Sequence, residues 1–561
     1  MNLNDLMLVP AWKAELISLY RPCRQRILIV TDGGLNYDAA NGFGLSEMVA
    51  ALQDTANGGM PVTVTKAHRG AGAGADVPNF RFDTAAVAVT RSNYDQLWLF
   101  GIASSETQNT VPGSNPAYNP SLALSNAEIA VVANFMQAGG GVFATGDHGR
   151  LGVSLCGLLP RVRQMREWRN IPMGLEGVPT SLARLDTVVN PGSNASYEFD
   201  DQSDDIPQRI YPHYRQATPT SPWTVHPLLS SAAGDIDVLP DHPHESVCLT
   251  AATPAATFSI PGLSFPEFPA TAAGVRPLPE IVATSVSGGR AIPVFAGVKP
   301  PVTPRCFGAI SAYDGDAVDR GRIVCDATWH HFVNINLNGV GTPAFGGAPR
   351  MGLRDAAGNP TPAYRQIKRY YANLTRWLAP EGRRRCPLFI DVLDVRYRFP
   401  LIEELPVPVP PVPPFPLLVE IGARTQEALA GTYGAGMAAE ITNELAALAD
   451  AGEEVRDFLV APKRRGKPRE DEAALVSAQE LRMAALGGVM LHIARELPAT
   501  PEELPRALGE HTDDERETAL LAAGVNAGLR AGLKHLAGAA KRSVALVKRL
   551  EQAMKEEVAA A

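Results

Sequence analysis

The feature that most constrains this chain is a series of short, almost unbroken apolar runs, each stopping at glycine or aspartate. Arg26-Ile27-Leu28-Ile29-Val30-Thr31 runs into Asp32-Gly33-Gly34, Gln96-Leu97-Trp98-Leu99-Phe100 stops at Gly101, and Val142-Phe143-Ala144-Thr145 stops at Gly146-Asp147. Val62-Thr63-Val64-Thr65 adds a fourth strand-like piece. Strands exposed on one face alternate apolar with polar residues; strands apolar throughout are covered on both faces, as in parallel sheets. Helical patterns lie between the runs. One spans Gly44 to Leu52. Another opens at Ser125, where Glu128 three residues on completes a capping box, and carries Ile129, Val132, Ala133 and Met136 on one face. Strands alternating with helices predict an α/β domain with a doubly wound, mostly parallel sheet.

At 561 residues the chain exceeds a single ordinary core. Leu405 to Pro416, LPVPVPPVPPFP, lacks the backbone donors for a helix or central strand and predicts an extended strut. We therefore expect an α/β domain over 1–385, a Pro-rich linker over 386–416 and a helical bundle over 417–561. Between about 190 and 303 the pattern dissolves into Pro, Ser, Asp and Gly, which predicts an irregular insertion of turns and hairpins. A closing helix is expected from Tyr364 to Leu378. In the C-terminal part, Ala438, Ile441, Leu445 and Leu448 recur at helical spacing, and two or more amphipathic helices are expected from Thr518 to Val558. The bundle is the candidate surface for a homo-oligomer or a protein partner.

A net charge of -8 gives no reason to expect nucleic acid or an anionic membrane as partner. The run Arg383-Arg384-Arg385 reads as solvated surface. No window reaches the roughly 20 apolar residues of a membrane span. Met1 to Trp12 does not look like a signal peptide. Six scattered cysteines with no C-x-x-C spacing read as reduced thiols, and the expected location is cytoplasmic.

Ligands of open parallel sheets bind at the carboxyl ends of strands. Those ends carry Asp32, Gly101, Asp147-His148 and Asp326. A strand-end aspartate also caps turns, so each has a structural as well as a functional reading. Asp241-His242-Pro243-His244-Glu245 places two imidazoles two residues apart in chain that Pro243 holds extended, so both could converge on one ion. With His148 they are candidate ligands of a divalent metal such as zinc, iron or manganese. A polar turn with hydrogen-bonded imidazoles explains the same residues. Cys325-Asp326-Ala327-Thr328-Trp329-His330-His331 follows a strand and offers a carboxylate, an aromatic wall and two histidines expected to diverge. Asp314-Gly315-Asp316 lacks the further acidic ligands of a calcium loop. No P-loop, G-x-S-x-G elbow or H-E-x-x-H helix is present.

The segment Gly139-Gly140-Gly141-Val142-Phe143-Ala144-Thr145-Gly146-Asp147-His148-Gly149, with the strand Tyr94 to Phe100 before it, resembles the class I glutamine-amidotransferase-like superfamily. The likeness is to its trehalose-utilisation-protein-like branch, whose members order a helix, a Gly triplet, a strand and a Gly-x-His turn in this way. The resemblance implies a flavodoxin-like or amidotransferase-like sheet, and a strand-turn-helix elbow whose helix covers Leu151 to Leu158. It also implies a His and Glu pair downstream, matched loosely by His244 and Glu245. The family's nucleophilic cysteine is missing: Asp147 and His148 stand at the elbow, and Cys156 lies eight residues past His148. Glutamine hydrolysis through a thiolate is therefore not expected.

The expectation is a hydrolase or lyase acting on a small polar, sugar-like or amide substrate through activated water, with or without a metal. Asp147, His148, Glu245 and Asp326 are the candidate catalytic groups. Asp32, Gly101, Trp329 and His330 are the candidate substrate contacts, and His148, His242 and His244 the candidate metal ligands. The sugar preference comes from the resemblance alone. The rival expectation is a silent amidotransferase-like ligand-binding or scaffold domain whose helical module mediates assembly.

Overall fold

The computed structural model describes residues 24–54, 61–103, 123–147, 151–168, 187–188, 198–199, 207–216, 222–241, 246–272, 274–286, 292–294, 297–299, 306–339, 352–355, 357–406, 408–449, 478–508 and 514–560. The chain divides into two compact units. The first holds 1–9, 23–214 and 225–384; the second holds 10–22, 215–224 and 385–561.

The first unit is built on a nine-stranded mixed sheet. Its strands are β1 (Gln25–Thr31), β2 (Val62–His68), β3 (Gln96–Phe100), β4 (Gly141–Thr145), β5 (Gln208–Pro212), β6 (Val238–Leu239), β7 (Glu280–Val286), β8 (Cys306–Tyr313) and β9 (Ile323–Asp326). Their spatial order is β6-β5-β7-β8-β9-β4-β3-β1-β2. The larger arm, β9-β4-β3-β1-β2, is parallel throughout, and β8, β7, β5 and β6 continue it antiparallel.

Both faces of the parallel arm are covered, which is why its strands could be apolar at every position. Ile27, Ile29, Trp98, Phe100 and Phe143 pack into one core with α1 (Ser46–Gln53) and α3 (Pro362–Trp377). Leu28, Val30, Leu97, Leu99, Val142 and Ala144 pack into the other with α2 (Asn126–Gln137). Each such fully buried aliphatic side chain contributes about 1.5–3 kcal/mol. The capping box at Ser125 and Glu128 is present, and Ile129, Val132, Ala133 and Met136 are buried. The N-terminus of α1 has no local side-chain cap. Asn334, far along the chain, accepts from Glu47 N at 3.0 Å instead.

Several expectations are corrected. The stretch 190–303 holds the expected hairpins, Thr257–Ile260 with Leu263–Pro266 and Ile292–Val294 with Gly297–Lys299, but it also supplies β5, β6 and β7 to the main sheet. Its short strands escape a reading by hydrophobic runs because Pro, Ser and Thr interrupt them. The expected elbow helix shrinks to one turn, Val153–Cys156, since Gly152 at φ +89° and Gly157 bound it. Arg383 and Arg384 are not a solvated pair: Arg383 Nε lies 3.4 Å from the buried Asp95, and buried Arg384 pairs with Asp316. Asp314 and Asp316 are thereby ion-pair partners, Asp314 of Arg322 and Asp316 of both Arg322 and Arg384. Of the described cysteines, Cys156, Cys248, Cys306 and Cys325 are free thiols.

The expected linker over 386–416 is mostly helix at its start. α4 (Glu381–Arg398) runs through Pro387 and buries Leu388, Phe389, Ile390, Val392, Leu393 and Val395. The carbonyl of Arg383, four residues before the proline that lacks a donor for it, accepts from Gln25 Nε2 at 3.4 Å. The described residues 408–414 carry no helix or strand, with bends at Pro411 and Val412, and α5 (Phe415–Tyr433) starts directly after. α6 (Ala435–Ala446) buries Ala438, Ile441 and Leu445 as the spacing predicts. α7 (Ala478–Glu496) is buried on nearly every side. The two or more helices expected after Thr518 are one, α8 (Asp514–Ala560), because no proline interrupts it. The charged run from Lys463 to Asp471 lies outside the described residues. Helices α5, α7 and α8 touch through glycines. A Cβ on Gly422 would lie 1.8 Å from Met483 O, and one on Gly528 2.0 Å from Ala484 O. Among the described residues, no helix is long and apolar enough to cross a membrane.

Candidate functional site

Strands β4 and β9 are parallel neighbours whose register pairs Thr145 with Asp326. Two residues further along each strand the same pleat brings Asp147 beside Thr328, and Thr328 Oγ1 donates to Asp147 Oδ1 at 2.9 Å. The loop carrying Asp147 closes on itself: Asp147 N donates to Leu151 O at 3.0 Å and Leu151 N to Asp147 O at 2.9 Å. It passes so close over β3 that a Cβ on Gly101 would lie 2.5 Å from the Cα of Gly152. Gly101 thus admits the backbone of the Asp147 loop.

After β9 the chain makes a single 3-10 turn, Trp329–His331. Thr328 caps it by accepting from His330 N at 3.0 Å, and Trp329 N donates to Gly146 O at 2.9 Å. The tight turn sends the two histidines apart, as adjacent residues were expected to be. His331 is fully buried, whereas the His330 side chain keeps 16% of its surface exposed. The ring of His330 stacks on Trp329 with centroids 4.2 Å apart, and Phe43 stands edge-on to both rings. Trp329 is buried, so Phe43 and His330 form the accessible part of this aromatic wall.

Among the described residues, three polar side chains lie against the His330 ring. Nδ1 lies 3.0 Å from Asn336 Oδ1 and 3.6 Å from Asp241 Oδ2, and Nε2 lies 3.8 Å from Asp147 Oδ2. Asn336 Nδ2 donates to Asp241 Oδ2 at 2.9 Å. This chain of contacts fixes the ring's tautomer. A carboxylate only accepts, so the Asn336 amide must turn its NH2 to Asp241 and its oxygen to His330. Nδ1 must then carry the hydrogen, and in the neutral ring Nε2 presents its lone pair toward Asp147. The 3.8 Å separation is too long for a direct hydrogen bond and short enough for one water to reach both atoms. Asp147 and Asp241 are both buried, which keeps this polar cluster in a low-dielectric setting.

Asp326 stands behind the cluster. Its side chain is wholly buried, with Oδ1 2.6 Å from His331 Nδ1 and accepting from Thr328 N at 3.2 Å, and Oδ2 accepting from Tyr370 OH at 3.0 Å. Burial, followed by the neighbouring Asp326 charge, raises the Tyr370 phenol well above its ordinary range, so it stays a donor. Asp32 serves a third place, where Oδ1 accepts from Ile102 N at 2.6 Å and Ala103 N at 2.9 Å. Burial pushes its carboxyl up despite those bonds. Burial likewise lifts the Cys156 thiol far above its usual range, which suits packing and not a nucleophile.

Of the residues singled out by sequence, the structure brings together Asp147, Trp329 and His330, with Asp326 one hydrogen-bonded step behind. Asp32 and Gly101 line the neighbouring strand ends. His148, His242, His244 and Glu245 lie outside the described residues. Among the described residues, no three His, Cys, Asp or Glu side chains are grouped to hold a metal ion. Sequence reasoning missed Asn336, Thr328 and the carboxylate of Asp241 as members of the cluster. Asn336 sits in no motif, and its role appears only when residues 241 and 330 meet in space. No family model, curated protein or solved structure matches this chain.

Proposed function

We propose that the protein is a hydrolase acting on a small polar substrate, with His330 as the general base that activates water. The observation that carries this reading is the pinned ring: Nδ1 is committed to Asn336 and Nε2 lies 3.8 Å from Asp147 Oδ2. A water held by both loses a proton to Nε2 as its oxygen attacks the substrate, Asp147 accepts its other hydrogen and orients it, and the imidazolium returns the proton to the leaving group as the scissile bond breaks. The imidazolium so formed is stabilised by the nearby Asp241 and Asp147 carboxylates. The reading routes no step through a metal, because it is supported by the imidazole and carboxylates alone. Phe43 supplies an apolar face beside the reacting ring.

The flavodoxin-like or amidotransferase-like assignment remains our reading of the fold. It is supported by the order of the parallel arm, which counts 2-1-3-4-5 when its five strands are numbered along the chain. The antiparallel arm departs from an all-parallel member of that class.

The test is turnover of chromogenic nitrophenyl esters, nitrophenyl glycosides and nitroanilides by the full chain. His330→Ala and Asp147→Asn should each lower whichever activity the wild type shows by about 100-fold or more. Absence of turnover across the three classes, or equal turnover by His330→Ala, refutes the assignment.

A further inference from the structure

We propose that His331 is a positioning residue for the His330 site and acts through Asp241, an inference that rests on reading His330 as the base. The His331 ring is fully buried and meets an oxygen at each nitrogen: Asp326 Oδ1 at 2.6 Å from Nδ1, and the main-chain oxygen of Asp241 at 2.9 Å from Nε2. A carbonyl only accepts, so Nε2 carries a hydrogen and donates it to Asp241. Nδ1 and Asp326 Oδ1 share a second hydrogen. Asp326 is itself held by Tyr370 OH and Thr328 N, and Tyr371 OH donates to the His331 carbonyl. The ring cannot turn without breaking both of its bonds inside a core where neither partner finds water.

The consequence falls on Asp241. Its carbonyl is anchored by His331 on one side, and its carboxylate receives Asn336 on the other. That carboxylate dictates which way the Asn336 amide faces, and the amide dictates which nitrogen of His330 carries the hydrogen. The two adjacent histidines therefore have linked duties. One faces the site; the other, through the main chain of Asp241, sets its tautomer.

The experiment is imidazole 15N spectroscopy of the full chain labelled at histidine, with the His330 signals assigned by their loss in His330→Ala. In the wild type, neutral His330 should be the Nδ1–H tautomer, the opposite of the Nε2–H form that free imidazole side chains favour. His331→Phe should lose that preference, and His331→Gln, which keeps a donor near the Nε2 position, should retain most of it. Asp326→Asn preserves shape and serves if the Phe variant does not fold; it should shift His330 in the same direction by a smaller amount. Wild-type His330 found as Nε2–H overturns the base assignment itself. An Nδ1–H ring in the wild type that is unmoved by His331→Phe or Asp326→Asn overturns the positioning role alone.

Discussion

Replacing Asp95 by asparagine probes the cohesion of the first unit. The Asp95 carboxylate is fully buried and accepts from Arg26 N at 2.9 Å, Arg26 Nε at 3.0 Å, Arg26 Nη2 at 2.9 Å and Arg91 Nη1 at 3.1 Å. Arg383 Nε stands 3.4 Å away. One carboxylate thus ties the start of β1 to the start of β3 and to the first turn of α4. Losing one member of a buried pair costs about 3–5 kcal/mol. The arginines keep 28%, 23% and 31% of their side-chain surface, so water takes over part of the released charge, and we expect about 2–3 kcal/mol. The pH dependence is a sharper check. Burial pushes the carboxyl up, but the hydrogen bonds of Arg26 and the charges of Arg383 and Arg26 outweigh it, so the folded value lies below the ordinary one. A depressed carboxylate stabilises fully above the unfolded value of about 4 and loses that contribution as pH falls through the folded value. Urea melts should therefore separate wild type from Asp95→Asn at pH 7, with the gap shrinking as pH falls below about 4. Equal midpoints at pH 7, or a gap that acid leaves unchanged, would show that the cluster does not work as described.

Asp32 carries the opposite sign: its raised carboxyl favours the protonated form, so its contribution is complete below the unfolded value of about 4 and is lost as pH rises through the folded one. Asp32→Asn keeps an acceptor for Ile102 N and Ala103 N, and should raise the melting temperature at pH 7 while leaving it unchanged near pH 3; a lower value at pH 7 refutes this. Gly528→Leu places a Cβ on the Ala484 carbonyl and should destabilise the helical unit by about 3 kcal/mol or more, read by helical circular dichroism in a thermal melt. An unchanged melt would mean that α7 and α8 do not touch there.

The parallel arm was legible because its physics is local. A strand covered on both faces must be apolar at every position, and Leu97 to Phe100 or Val142 to Ala144 can satisfy nothing else. The capping box at Ser125 and Glu128 was legible for the same reason. The antiparallel arm beyond β8 was not: β6 is two residues long, and β5 and β7 include Gln208, Arg209, Thr284 and Ser285, so their pairing is decided by neighbours distant in sequence. Helix α4 was hidden by Pro387, whose cost is offset by the apolar face it helps to bury and by Gln25 taking up the carbonyl of Arg383.

The site divides along the same line. Strand ends name Asp147 and Asp326 as candidates, but spacing cannot say which of two strand-end carboxylates meets solvent-facing chemistry and which anchors the core. That choice is made by the 3-10 turn at Trp329–His331, which turns one imidazole outward and the other against Asp326 and the main chain of Asp241. Asn336 then converts position into chemistry, since an amide between a carboxylate and an imidazole can be satisfied in one orientation only. A single amide flip would leave two acceptors facing at Asp241 and move the hydrogen of His330 to its other nitrogen. The tautomer is thus held by the cost of burying mismatched polar groups, about 1–3 kcal/mol each, which suffices to make one form dominant by an order of magnitude or more. Asn336→Leu, which keeps the shape and removes the acceptor at Nδ1, tests this directly: it should release the His330 tautomer while leaving the His331 signals in place.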